Sequence, residues 1–380
     1  MRRKAGKPSL VLLVFLALLS ILFFYLAEKS QKPRKADYYD LKIEAAEMAG
    51  KAQEVVKREL SSRGYVIDVQ NDPNMTGMIG PQYSLITTDR GYIRDKLIST
   101  NPNIAAVLID LYKRANLKAG DKVAVTVTGA FPALNIAVFS ACKVMNLEPV
   151  VITSVGASTW GANWEEFTWL DMEDVLIKKG IWDYRSVAAS LGGGNDAGRG
   201  LSPQGRELIE QAIQRNDVEY IDMVSEDQPT GSLEESIRRR VALFDSVKGN
   251  SEYKAMINVG GGLAAVGSSQ NGRLIVPGYN ARLWEREFPA RGTINVMAER
   301  RIPVIHLLQV DEFAERYGLP VEVTPAPEVG EGPVFVQERY SITTTVVYTV
   351  VLLAILWVAI RIDFRYYIYR NRHLFVKKNA

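Results

Sequence analysis

Residues 120–161 read GDKVAVTVTGAFPALNIAVFSACKVMNLEPVVITSVGASTWG, and this stretch decides the fold. Lys122 to Thr128 alternates and is rich in β-branched residues, so it predicts a strand. Gly129 to Pro132 supplies a turn, Ala133 to Leu147 an apolar helix, and Pro149 to Ser154 a second strand. This is the βαβ unit of an open, doubly wound sheet, in which ligands sit beyond the carboxyl ends of the strands. Those ends carry Thr128-Gly129-Ala130 and Ser154-Val155-Gly156-Ala157-Ser158. The helix is apolar nearly all round, as befits a buried element, with one narrow polar stripe of Asn135, Lys143 and Asn146 and with Ser140 on the same side.

On both sides of this stretch the pattern repeats. Asp37 or Asp40 can cap a helix running through Leu60, and Val66 to Val69 suggests a short strand. Asn101-Pro102 precedes a helix from Ile104 to Ala115. Beyond the central unit come Trp160, Trp164, Trp169 and Trp182, then a glycine loop, Leu191 to Gly200 (LGGGNDAGRG). Ser202-Pro203 starts a helix to about Arg215, with an N-cap and Pro at its first position. Strands follow at Glu219–Val224, Tyr253–Val259 and Pro303–Val310, with helices at Leu233–Val247 and Asp311–Tyr317. Strands alternating with helices predict an α/β domain over 66–319, built on an open, mostly parallel, Rossmann-like sheet. Residues 320–341, beginning PVEVTPAPEVGEG, read as an extended linker.

Residues 9–27 and 342–360 contain no charged side chain, and each is long enough for a helix to cross ~30 Å of hydrocarbon. Tyr25 and Trp357 stand where interfacial aromatics would, with Tyr366, Tyr367 and Tyr369 just beyond. The basic residues cluster in the tails: Arg2, Arg3, Lys4 and Lys7 in 1–8, and Arg361, Arg365, Arg370, Arg372, Lys377 and Lys378 against Asp363 in 361–380. The formal charge is only +3, so the body between the tails is acidic, and nucleic acid is not an expected partner. The positive-inside rule then predicts a two-pass protein of the cell membrane, with both termini cytoplasmic and the α/β domain extracytoplasmic. Residues 28–65 would form a juxtamembrane helix. A cleaved signal peptide is the other reading of 9–27. The apolar run exceeds a usual signal core and lacks a small-x-small site, which favours an uncleaved anchor.

A single cysteine and two histidines exclude an intrachain disulfide and a Cys/His zinc cluster; no metal is expected. Cys142 reads as a small core residue, and His306, set among strand apolars, as an interior histidine. No Walker A motif occurs, and no glycine loop matches G-x-G-x-x-G with its acidic partner, so no cofactor is expected.

The best site signals are glycine loops. Asn258-Val259-Gly260-Gly261-Gly262 follows a strand, and small residues there let a phosphate or carboxylate approach backbone N–H groups. Gly193 in the 192–198 loop, with Arg199 and Arg206 as anion forks, offers a second such place. Thr128, Gly129, Ser154 and Ser158 at the strand ends complete the ligand-binding candidates. Ser140-Ala141-Cys142-Lys143 matches S-x-x-K, the spacing at which Lys143 could activate Ser140, but S-D-N and K-T-G companions are absent. Asp171, Glu173 and Asp174 suit a solvated helix face better than a paired-carboxylate site. The tryptophans suit a core anchor better than a stacking platform.

The chain as a whole resembles the poly-γ-glutamate system proteins, accessory membrane proteins associated with bacterial poly-γ-glutamate production. The resemblance is carried by the terminal span, Thr128-Gly129-Ala130-Phe131-Pro132-Ala133-Leu134-Asn135, Ser154-Val155-Gly156-Ala157-Ser158, Gly200-Leu201-Ser202-Pro203 and Asn258-Val259-Gly260-Gly261-Gly262. It implies a process, the making, export or retention of an anionic γ-linked polymer, and no reaction. The expected function is therefore a membrane-anchored, non-catalytic accessory of a poly-γ-glutamate synthase or export complex, its domain contacting polymer or a partner subunit. Two alternatives stand beside it. One is an extracytoplasmic hydrolase or transferase of γ-glutamyl or wall polymer, using Ser140 and Lys143 or a serine near Gly267. The other is a small-ligand membrane sensor.

Overall fold

A computed structural model describes residues 10–223, 231–284 and 288–361, without the side chains of residue 12 and residues 359–361. The chain divides into two units, residues 36–335 and the two terminal segments together. The terminal unit holds helix α1 (Leu10–Glu28), strand β1 (Lys32–Lys35), strand β11 (Val336–Arg339) and helix α13 (Ile342–Arg361). β1 and β11 pair antiparallel, Lys32 opposite Arg339. Phe23 of α1 stacks on Tyr348 of α13, with ring centroids 4.8 Å apart.

These helices correct one expectation. Among the described residues, no helix is long and apolar enough to cross a membrane. The unbroken runs of described side chains, 13–28 and 342–358, fall short of the ~20 apolar residues that a crossing takes. The two transmembrane helices at 9–27 and 342–360, the bilayer as a partner, and the two-pass placement with an extracytoplasmic domain are accordingly not supported. The expected cytoplasmic tails, 1–8 and most of 361–380, lie outside the described residues, as does His373.

The larger unit is the predicted α/β fold. It opens with α2 (Tyr39–Ser62), β2 (Thr87–Asp89), α3 (Ile93–Ser99) and α4 (Ile104–Arg114). The central βαβ unit follows as β3 (Lys122–Thr128), α5 (Pro132–Val144) and β4 (Glu148–Ser154), close to the predicted bounds. Next come β5 (Ala157–Ser158), α6 (Trp169–Lys178), β6 (Ser186–Ser190), α7 (Pro203–Arg215), β7 (Glu219–Tyr220) and α8 (Leu233–Lys248). The strand β8 (Ala255–Val259) leads to α9 (Leu263–Val266), α10 (Ser269–Leu274), β9 (Gly278–Asn280), α11 (Thr293–Glu299), β10 (Val304–Leu307) and α12 (Val310–Arg316).

Seven strands form one sheet in the order β7-β6-β4-β3-β8-β10-β9, parallel except for β9 at the edge. From β3 the chain moves outward through β4, β6 and β7, then returns to β8 on the other side of β3. The switch point therefore lies between β3 and β8. Both faces are apolar, as a sheet covered on both sides requires. Val123, Val125 and Val127 join the core formed with α2, α4 and α5, whereas Ala124 faces the second core with Phe244, Ile294 and Met297.

Several local readings change. Val66–Val69 is not a strand: Val66 is exposed, and Asp68 turns the chain by accepting from Gln70 N (3.0 Å) and Asn71 Nδ2 (2.6 Å). Neither Asp37 nor Asp40 caps α2; the cap position is Tyr38, in left-handed conformation (φ 59°). The predicted juxtamembrane helix packs into the domain, burying Lys42 against Asp110 (2.7 Å) and the Val334 carbonyl (3.0 Å). The predicted linker likewise contributes Val323, Val334 and Phe335 to the core.

Candidate functional site

The switch point brings Thr128 at the end of β3 beside the glycines that follow β8. Gly260 is left-handed (φ +85°), and a Cβ there would stand 2.5 Å from Thr128 Oγ1. A Cβ on Gly262 would stand 3.0 Å from Thr128 Cγ2 and 3.6 Å from Ser154 Oγ. Those two glycines are required by packing. Gly261 differs. It is exposed, has no left-handed strain, and a Cβ there would meet nothing closer than Leu308 at 3.8 Å. Among the described residues, the amides of Gly261 and Gly262 donate to no protein acceptor. A small backbone cradle thus opens at the place where doubly wound sheets bind ligands.

The cradle is fixed from below. Asn258 Nδ2 donates to Gly260 O (2.8 Å) and contacts His306 Nδ1 (3.0 Å), while Thr126 Oγ1 donates to Asn258 Oδ1 (2.8 Å). His306 Nε2 lies 3.0 Å from the Gly272 carbonyl, so the ring is a neutral Nε2–H tautomer with both nitrogens satisfied. Burial pushes its pKa down to about 4, and the Gly272 bond only partly offsets that. His306 is an interior histidine that holds the loop.

Ser154 and the 192–198 loop belong to a different construction. Arg240 Nη2 donates to Ser154 Oγ (2.9 Å), Ser190 Oγ (2.6 Å) and Asp196 Oδ2 (2.8 Å). Ser154 Oγ donates to Asp196 Oδ1 (2.9 Å), and Ser236 Oγ to Asp196 Oδ2 (2.6 Å). Arg240 and Asp196 are each 1% exposed. Both Asp196 oxygens and Arg240 Nε and Nη2 have partners within the cluster, so it clamps the loop onto α8 and the strand ends. Gly193 is left-handed (φ +67°), and a Cβ there would stand 3.2 Å from Thr88 Cγ2 and 3.5 Å from the Arg199 carbonyl oxygen. Ser154 is buried within the Arg240–Asp196 cluster, whereas Arg199 is exposed.

Ser158 has a partner that no motif in the sequence announces. Lys96 of α3, 1% exposed, reaches Ser158 Oγ at 2.9 Å, contacts the Ala130 carbonyl and sits 3.9 Å from the centre of the Phe131 ring. No carboxylate lies within ion-pair reach of its Nζ among the described residues. Burial pushes its pKa down to about 7, against a smaller upward pull from Asp95.

The S-x-x-K pair is not assembled. Ser140 is fully buried inside α5 and its hydroxyl has no partner among the described residues, whereas Lys143 turns outward to Asp183 (3.1 Å). The acidic residues of α6 serve the fold. Asp171 completes the capping box of Thr168 and accepts from Arg215 (2.7 Å), and Asp174 pairs with Lys178 (2.6 Å). Glu173 is buried against Ser186 N (2.9 Å) and Oγ (3.0 Å); burial pushes its pKa up to about 7, with Ser186 drawing it back. No metal-holding group of His, Cys, Asp and Glu occurs among the described residues. Trp169 and Trp182 pack on Phe139 (5.8 and 5.6 Å between centroids) within the core. Burial pushes the Cys142 thiol up to about 12, so it is an inert packing residue.

Sequence reasoning missed Lys96, Asp196 and Arg240. Ser236, Arg240 and Phe244 stand four apart on one helix face, which does mark Arg240 as inward-facing. The seven-residue α3 is too short to show a comparable stripe around Lys96. Comparison of the chain with protein families, curated proteins and solved structures finds no match.

Proposed function

We propose that this protein is a carboxylate-binding component of poly-γ-glutamate assembly, holding glutamate carboxylates at the Gly260–Gly262 cradle. The observation that carries the reading is the pair of amides at Gly261 and Gly262, unpartnered among the described residues at the β3/β8 switch point, with Gly261 exposed and Gly262 half-buried. Backbone N–H groups without acceptors, on a loop held rigid by the Asn258–His306 pair, favour an anionic oxygen. The anion need not be phosphate: the cradle lacks the glycine fingerprint and acidic partner of a dinucleotide site. The resemblance noted in the sequence supplies the process, and the cradle supplies a contact chemistry compatible with an acidic polymer.

Gly261→Val tests this directly, because its Cβ meets only Leu308 and needs no unusual backbone. Titration calorimetry with poly-γ-glutamate oligomers should show at least a tenfold weaker affinity for the variant, with an unchanged melting temperature. Equal affinity in the two proteins would remove the cradle from the binding site.

A further inference from the structure

We propose that Ser158 and Lys96 form a nucleophile–base pair that acylates Ser158 from an amide or ester, an activity separate from carboxylate binding at the glycine cradle. Lys96 Nζ and Ser158 Oγ are 2.9 Å apart, within the reach needed for direct proton transfer. Lys96 is sealed from solvent, and Ser158, in the two-stranded β2–β5 sheet, is half-buried. A nucleophile open on one side and a base closed on the other is the arrangement that a serine–lysine pair requires.

The surroundings keep the amine usable as a base. A lysine that serves only structure is best neutralised by a carboxylate, as Lys42 is by Asp110 at 2.7 Å. Lys96 has instead a carbonyl, a hydroxyl and an aromatic face. In the neutral amine one N–H serves the Ala130 carbonyl and the lone pair accepts the Ser158 O–H. The charged groups facing this pair are few. Asp95 precedes Lys96 on α3, Asp311 lies on the packed helix α12, and Asp89 stands opposite Ser158 in the β2–β5 ladder. Asp95 pulls the lysine pKa upward less than burial pushes it down.

Two further features fit. Gly91 lies against the pair: a Cβ there would come within 2.9 Å of Ser158 Oγ and 3.1 Å of Lys96 Cε, so glycine keeps the hydroxyl uncovered. Trp160, two residues beyond Ser158, is held left-handed (φ 60°), and its indole N–H has no acceptor among the described residues. The nucleophile's own loop therefore carries a spare hydrogen-bond donor in a strained conformation.

Ser158 Oγ attacks the acyl carbon, and its proton passes to Lys96 Nζ. The carbonyl re-forms as the substrate C–N or C–O bond breaks, and the same proton leaves with the amine or alcohol. Water then attacks the Ser158 ester, giving its proton to Lys96, and the Ser158 oxygen takes that proton back as the carboxylic acid departs.

A fluorophosphonate reports on the pair without knowledge of the substrate, since Ser158 Oγ displaces fluoride at phosphorus. Incubation of the full chain should give a single adduct, placed on Ser158 by peptide mass. Its rate should rise about tenfold per pH unit up to about 7 and level off above, as Lys96 loses its proton. Ser158→Ala should take no label, and Lys96→Met should label at least 100-fold more slowly. Absence of an adduct on the wild type, or an adduct that survives Ser158→Ala, would overturn the assignment. Should Lys96→Met not fold, the wild-type profile decides, because a rate climbing only above pH 9 is that of an unassisted serine. Polymer affinity and its loss in Gly261→Val are unaffected by either result.

Discussion

Two serine–lysine pairs in this domain meet opposite fates. Ser140 and Lys143 stand one turn apart on α5, yet one is entombed with no partner among the described residues and the other reaches out to Asp183. Lys96 and Ser158 are separated by 62 residues, and they touch. The first pair shares a helix whose apolar faces are all claimed by the core, so only its last turn reaches solvent. The second is assembled where α3 meets Ser158 of β5 and the Ala130 carbonyl just ahead of α5. Proximity along a helix places side chains on a face; which face is buried and which is open decides what they can do.

The largest effect that separates the pairs is expected from Lys96→Met. The native pKa of Lys96 is about 7, against an ordinary 10.5. Between those values the unfolded chain holds a proton that the folded chain has released, so wild-type stability rises as pH climbs from 7 to 10. Below pH 7 both states are protonated, and folding carries the full cost of a buried, unpaired cation. Methionine removes that cost. The variant should therefore gain stability relative to wild type at pH 6 by a few kcal/mol, since each tenfold loss of proton affinity on folding is worth ~1.4 kcal/mol, and lose the advantage by pH 10. Urea denaturation at three pH values checks it. A constant offset would mean that Lys96 stays charged throughout and cannot serve as the base for Ser158.

Gly91→Ala comes next. Its Cβ would press on both Ser158 Oγ and Lys96 Cε, so the pair must part or the loop must shift. We expect a loss of about 1–2 kcal/mol, typical of overpacking, together with slower fluorophosphonate labelling. Unchanged labelling would show that the hydroxyl is approached from another side.

How much of the molecule is legible in its sequence follows from the same contrast. The β3–α5–β4 unit is readable because β-branched alternation, a Gly-Pro turn and an apolar helix are local signals. Five strands of the seven-stranded sheet follow from repetition of that signal; β6 escapes it because Ser186–Ser190 is built mostly of small residues, and β9 because Gly278–Asn280 is only three residues long. The glycine cradle is also visible, since Gly260–Gly262 follows a strong strand. The roles of its members are not. Only the position of Thr128 shows that Gly260 and Gly262 serve packing while Gly261 is open. The Arg240–Asp196 cluster and the Lys96–Ser158 pair join segments far apart in the chain, and no periodicity within either segment encodes the meeting. The apolar terminal stretches mislead for a different reason. Apolarity there reads as a membrane span, and among the described residues no helix is long and apolar enough to be one.

A smaller effect is expected at Ser140. Its hydroxyl is buried with no partner among the described residues, so deletion removes an unsatisfied polar group and leaves only a small void. Ser140→Ala should be neutral or stabilising by up to about 1 kcal/mol in chemical denaturation, and should label with fluorophosphonate at the wild-type rate. A loss of labelling would return the chemistry to the S-x-x-K pair and sink the assignment to Ser158.

The smallest effect belongs to Lys143. Its partner Asp183 is 79% exposed, and the lysine itself 38%. Water screens such a pair, and holding two mobile side chains in one geometry costs entropy that offsets most of the attraction. Lys143→Ala should change stability by no more than about 0.5 kcal/mol and leave labelling untouched, as differential scanning calorimetry and the same probe would show. Lys96 and Lys143 have the same side chain, yet one is expected to control the pH profile of the domain and the other to go unnoticed. That difference comes from burial: removing a lysine from water lowers the pKa of its amine, whereas an exposed ion pair leaves a lysine in contact with the solvent that screens it.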